Sequence, residues 1–147
     1  MNAASNCIAA LLLSCGRTAH STLTIPIEIN EASSLTMEKD SPRADLMRAA
    51  KLIIWDEAPM MHTWCFEAVD RSMHDILSKN DPLNEFRPFG GMTIVLGGDF
   101  RHILLVVRKG LRQDIVDASI NSSKICAYCN ALRLTVNMRL GASSVPA

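Results

Sequence analysis

The sequence predicts an α/β domain built on a mainly parallel sheet, and three observations carry that expectation. The run Lys51-Leu52-Ile53-Ile54-Trp55 is apolar after its lysine and stops abruptly at Asp56-Glu57. A second run, Met92-Thr93-Ile94-Val95-Leu96, stops at Gly97-Gly98-Asp99. Short β-branched runs closed by polar residues are the pattern of parallel strands covered on both faces. Between the two, Trp64, Ala68, Val69, Met73, Ile76 and Leu77 recur at helical spacing, with Thr63 placed to cap the helix. Strand, helix, loop, strand is the rhythm of a βαβ unit.

The remaining elements follow from the same rules. Residues 80–88 carry two prolines among polar residues and read as a loop. Upstream, residues 9–13 read as helical until Ser14-Cys15-Gly16 breaks the pattern, and the apolar stretch 8–13 is expected in the core. Residues 28–42 are polar and aperiodic, a surface excursion, and residues 45–50 predict a short helix leading into the first strand. Downstream, residues 112–120 predict a helix, and Ser122-Ser123 could cap another running to Cys129. Leu132-Arg133-Leu134-Thr135-Val136 alternates and reads as a strand, and residues 141–147 as a fraying tail. There is no internal repeat.

A length of 147 residues suits one domain with a real core and is short for two. With 48% hydrophobic and 20% charged residues, the composition is globular rather than disordered. Lys+Arg and Asp+Glu both number 15, so net charge gives no nucleic-acid footprint, although a local basic stripe could still bind. Ten arginines against five lysines lean towards phosphate or carboxylate recognition. No apolar run approaches the length of a membrane span, and the first residues lack the basic start of a secretory signal. Five cysteines, an odd number at irregular spacing, argue against a complete disulfide framework and fit a reducing compartment. Cys126-Ala127-Tyr128-Cys129 has no second pair at zinc-finger spacing and reads as two half-buried thiols on a helix.

Asp56-Glu57 is the strongest local signal of chemistry. The C-terminal end of a parallel strand is where α/β sheets bind ligands. One carboxylate there can hold magnesium while its neighbour takes a proton from an attacking water. The same pair could instead cap the next helix. Gly97-Gly98-Asp99-Phe100-Arg101 is the second signal, since paired glycines let backbone approach a neighbour and would bring polar residues to the same edge. Alone it is also a strand-to-helix turn with Asp99 as the cap.

Taken together, Ile53-Ile54-Trp55-Asp56-Glu57-Ala58-Pro59-Met60 and Leu96-Gly97-Gly98-Asp99-Phe100-Arg101-His102-Ile103-Leu104 closely resemble motifs II and III of the Pif-one-like helicases. These are superfamily-one DNA helicases, and the wording is most similar to the plant forms related to Helitron transposons. Ala4-Ser5-Asn6-Cys7-Ile8-Ala9-Ala10-Leu11-Leu12-Leu13 followed by Gly16-Arg17-Thr18-Ala19-His20-Ser21 resembles motif Ia and the stretch after it. Leu134-Thr135-Val136-Asn137-Met138-Arg139-Leu140 resembles motif IV. The resemblance implies a partial RecA-like P-loop NTPase domain with a mainly parallel sheet, spanning residues 1–140, that lacks the Walker A strand and loop. It implies magnesium on Asp56, water activation by Glu57, and nucleotide contacts from Gly98 and Asp99. It further implies catalytic roles for His102 and for Arg139, which would reach the γ-phosphate. Thr18, His20 and Ser21 become contacts to a single-stranded DNA path, although His20 by itself reads as a capping or packing histidine.

The implied function is an ATP-dependent DNA helicase, 5′-to-3′, serving repair, recombination or telomere maintenance in the nucleus, with magnesium, ATP and DNA as its ligands. Three departures temper this. No glycine-rich loop ending Gly-Lys-Ser/Thr occurs, and Gly16-Arg17-Thr18 is not one, because arginine stands where lysine belongs and Leu11 where the first glycine belongs. His102 replaces the usual glutamine of motif III, and Leu104 or Leu105 replaces a usual proline. A chain holding one lobe without its phosphate cradle is expected to hydrolyse nothing by itself. The alternative is a transposon-derived remnant without catalytic activity, at most a weak nucleic-acid or protein-binding module.

Overall fold

The structure is a computed structural model and describes residues 1–99, 101, 105, 107 and 109–138. Its sheet has four strands, β1 (Asn2–Ala4), β2 (Arg17–Thr18), β3 (Leu52–Asp56) and β4 (Thr93–Leu96), in the order β2-β1-β3-β4. Every neighbouring pair is parallel. The two predicted runs are therefore adjacent strands, with Trp55 opposite Leu96. The sequence pattern missed β1 and β2. They hold three and two residues, too few for a period to show.

Register assigns the faces. Ala3, Trp55 and Leu96 lie in one row, and Ile53 pairs with Ile94 one step earlier on the same face. This face carries the main core, where Ile53 and Trp55 are fully buried. Three helices cover it: α2 (Ala19–Leu23), α3 (Pro42–Ala49) and α4 (Thr63–Leu77), supplying Leu23, Met47, Phe66, Val69 and Met73 among others. The Trp55 and Phe66 rings sit 4.7 Å apart at a 36° tilt, a favourable offset contact. Ser41 caps α3 through its side chain, with Pro42 in the first turn, where a missing N–H costs nothing. The segment before α3 is not purely superficial. Leu35 is buried, and its N–H donates to Ser72 Oγ at 2.9 Å.

Four expectations need correction. The strands are not covered on both faces: Leu52, Ile54 and Val95 on the second face are exposed among the described residues. There the helix α1 (Cys7–Leu12) covers only the β1 side, packing Ala9 and Ala10 against Ala4. The stretch 8–13 is consequently no core segment, because Ile8, Leu11 and Leu12 are 73%, 86% and 83% exposed. The α4 cap is His62 rather than Thr63; His62 Nδ1 accepts from Trp64 N at 3.1 Å, and Thr63 begins the helix. Residues 132–136 form no strand, with Leu132 and Leu134 94% and 96% exposed. Alternation needs a ladder partner and a face to bury, and the described residues supply neither.

Smaller differences have local causes. Residues 80–88 fold into a 3-10 turn at Pro82–Phe86, started by Asp81, whose carboxylate accepts from Leu83 N. A second 3-10 turn, Pro88–Gly91, is tied to α4 by Phe89 N donating to Asp70 Oδ1. Downstream, α5 (Arg112–Asp117) is shorter than predicted, and Ser123 caps a 3-10 turn, Lys124–Tyr128, rather than an α-helix. Cys126 is half-buried there and Cys129 exposed, both as free thiols. The predicted tail at 141–147 lies outside the described residues.

The His62 cap makes stability depend on pH. Burial holds the His62 imidazole below its ordinary value of about 6.5, with Glu67 opposing weakly. Protonation is thus easier in the unfolded chain, and it would also remove the acceptor that caps α4. This stabilisation is complete above about pH 6.5 and is lost as pH falls through the lower folded value. His62→Asn keeps a capping oxygen without titrating. Urea unfolding of both proteins between pH 7.5 and 5 should show a steeper acid loss in the wild type; parallel curves would exclude the cap as its source.

Candidate active site

The sheet's C-terminal edge gathers most of the predicted site. Asp56 closes β3 and lies in register with Ala4, which in turn pairs with Thr18. At about 4.8 Å between neighbouring strands, Thr18 and Asp56 stand roughly 10 Å apart on one edge. Ser5 N donates to the Asp56 carbonyl at 3.0 Å, holding the β1 exit against the β3 exit. Asp56 Oδ1 accepts from Glu57 N at 2.9 Å, which orients the carboxylate. Glu57 is left-handed, with φ 51° and ψ 36°, a conformation that non-glycine residues adopt at some cost and that clusters at functional sites. Both carboxylates are half-buried.

The glycines interlock with this turn. Gly97 N donates to the Trp55 carbonyl, and Ala58 N to the Gly97 carbonyl, each at 2.8 Å. A Cβ on Gly97 would stand 3.3 Å from Asp56 Oδ1. Gly98 has φ 149°, and a Cβ there would stand 2.4 Å from Pro59 Cδ. The close backbone approach expected of paired glycines is therefore met by the loop after β3. Asp99 is held by Arg101, whose guanidinium lies 2.8 Å from its carboxylate and whose N–H also donates to it. That pairing raises the Arg101 pKa.

The three residues after β2 separate in role. Thr18 caps α2, its Oγ1 accepting from Ser21 N at 3.3 Å. Ser21 is exposed and its carbonyl accepts from Arg43 Nη1 at 3.0 Å. His20 lies half-buried within α2. His102 and Arg139 lie outside the described residues. Sequence reasoning missed the supports of this edge. Trp55 Nε1 donates to Ser5 Oγ at 3.1 Å, and Asn6, which caps α1 through Ala9 N, also donates to Met60 Sδ. Only the cap had a local signal, an asparagine just before a helical run.

Asp56 fits a magnesium ion carried with a phosphate ligand. Magnesium in such sites commonly takes one or two carboxylates, with phosphate and water oxygens completing the shell. Among the described residues no cluster of three or more His, Cys, Asp or Glu is arranged to hold a metal alone.

The interlock implies unequal costs for the two glycines. Gly98→Ala should destabilise the chain by about 1–3 kcal/mol through backbone strain and the Pro59 clash. Gly97→Ala should cost less than about 1 kcal/mol, displacing the Asp56 carboxylate instead. Equal shifts in urea midpoint would contradict this geometry.

A family model described as PIF1-like helicase matches residues 1–147. No curated protein matches the chain. A solved structure of Bacteroides Pif1 bound to ssDNA is 27% identical, with a TM-score of 0.62 over 80% of this chain and 26% of that one. Bacteroides Pif1 in complex with ADP-AlF3 and ssDNA is 25% identical, with a TM-score of 0.67 over 85% of this chain and 29% of that one. A structure of two coordinating Pif1 helicases at forked dsDNA, 24% identical with a TM-score of 0.66, adds likeness of fold. The chain thus spans less than a third of these proteins' length. Its parallel sheet is that of their RecA-like domain, and with a family match running from the first residue to the last, the chain belongs to the PIF1-like helicases.

Proposed function

We propose that this chain is part of the first motor domain of an ATP-dependent DNA helicase, moving 5′-to-3′ in nuclear DNA repair, recombination or telomere maintenance. The observation that carries the reading is the shared sheet edge, where Asp56-Glu57, Gly97-Gly98 and Thr18 converge. The solved relatives bound to ssDNA and to ADP-AlF3 support the same ligands here.

In this reading Asp56 would hold a magnesium ion bound with ATP, and the ion would supply positive charge against the charge developing on the phosphates. Glu57 accepts the proton of a water whose oxygen attacks the γ-phosphorus as the bond to the β-phosphate oxygen breaks. Gly98 and Asp99 border the nucleotide, and Thr18, His20 and Ser21 follow the DNA backbone. Arg139 meets the γ-phosphate and His102 stands in for the glutamine that orients water. Histidine is shorter and, when neutral, offers one donor and one acceptor on a rigid ring, so it positions water less well.

The test is a chimera that joins this chain to a phosphate-binding loop and a second lobe. Glu57→Gln should lower DNA-stimulated ATP turnover by about a hundredfold or more and leave nucleotide affinity intact. His102→Gln should raise turnover by about tenfold, roughly 1.4 kcal/mol in the barrier. Turnover indifferent to Glu57→Gln would sink the proposal, and a chimera without any turnover would favour the remnant reading.

A further inference from the structure

The parallel sheet has a second edge, and it too carries polar side chains. A cavity of about 380 Å³ opens at the N-terminal ends of β1 and β2, beside α2 and α3, away from Asp56. Asn2, Ser14, Arg17, Ser21, Thr22 and Arg43 supply its polar lining, which contains no acidic residue among the described ones. We infer that this cavity binds a phosphate group, with Arg17 and Arg43 as its cationic clamp and the hydroxyl of Thr22 as a donor.

Three observations support the assignment. Arg48, Arg87 and Arg101 each lie 2.7–3.7 Å from a carboxylate oxygen. Arg17 and Arg43 have no such partner among the described residues, and Arg43 donates one N–H to the carbonyl of Ser21, which lines the same cavity. Two guanidiniums without a counter-charge leave a positive field suited to an oxyanion, and their planar forks match phosphate geometry. Thr22 Oγ1 is closed off from water and has no hydrogen-bond partner among the described residues. Buried hydroxyls are rarely left unpaired, and a turn about χ1 that brings this one to the cavity surface would let it donate to a phosphate oxygen. Lastly, the volume exceeds what inorganic phosphate needs and falls within the range of small-ligand sites. Met1 and Leu46 on the lining supply apolar surface for the body that carries the phosphate.

The phosphate could belong to a free nucleotide-like ligand or to a nucleic-acid backbone, and the chemistry at the arginines is the same. The site does not depend on the Asp56-Glu57 reading, so Glu57→Gln should leave it unchanged. Calorimetry on the full chain with pyrophosphate should give one-to-one binding at about millimolar affinity or tighter. Arg17→Ala should weaken this about tenfold or more. Thr22→Val, nearly isosteric, should weaken it several-fold without lowering the thermal midpoint, which separates lost binding from lost folding. A short oligothymidylate that competes with pyrophosphate assigns the site to nucleic-acid backbone; binding of pyrophosphate without such competition assigns it to a free phosphate ligand. The inference is overturned by no pyrophosphate binding, by affinity indifferent to both substitutions, or by citrate binding equally well.

Discussion

The burial of Trp55 is the constraint on which the rest of this structure depends. Side chains alternate along a strand, so a register that sends Trp55 inward carries Asp56 to the rim one residue later. A slip of one residue would bury the carboxylate and expose the indole, which no sequence with this pattern tolerates. Three neighbours take their position from that single residue. Phe66 of α4 stacks on its ring, Ser5 beyond β1 accepts its indole N–H, and Gly97 beyond β4 donates to its carbonyl. The carboxylate pair therefore stands on a rigid element, held from both sides by the strands that flank it.

The two faces of the sheet are not equivalent. Stability comes from the face where Ile53 and Trp55 meet α2, α3 and α4. The other face presents Leu52, Ile54 and Val95, and within the described residues only Ala9, Ala10 and Leu13 pack against it, on the β1 side. Apolar side chains left exposed on a sheet face favour association with whatever can cover them. Helical periodicity could not reveal this asymmetry, because a continuously apolar strand looks the same whether one face or both are covered.

The parallel sheet also explains why polar groups collect at its two ends. All strands run the same way, so their exits lie on one edge and their entries on the other. Carboxylates and glycines occupy the exits, while arginines and hydroxyls surround the entries of β1 and β2. A net charge of zero conceals this separation, since opposite local charges cancel in the sum.

By itself the sequence determined the local elements with enough residues to show a period: β3, β4 and α4, and with them the α/β class. It also determined the carboxylate pair, the paired glycines and the family resemblance, because each rests on neighbouring residues and their order. The sheet order, the entry-edge cavity, the His62 cap and the fate of residues 132–136 were decided only by tertiary structure. β1 and β2 are strands because β3 offers β1 an edge and β1 offers β2 another, whereas Leu132 and Leu134 alternate equally well beside no strand among the described residues. Periodicity records which side chains could share a face, but a strand exists only where another backbone completes its hydrogen bonds.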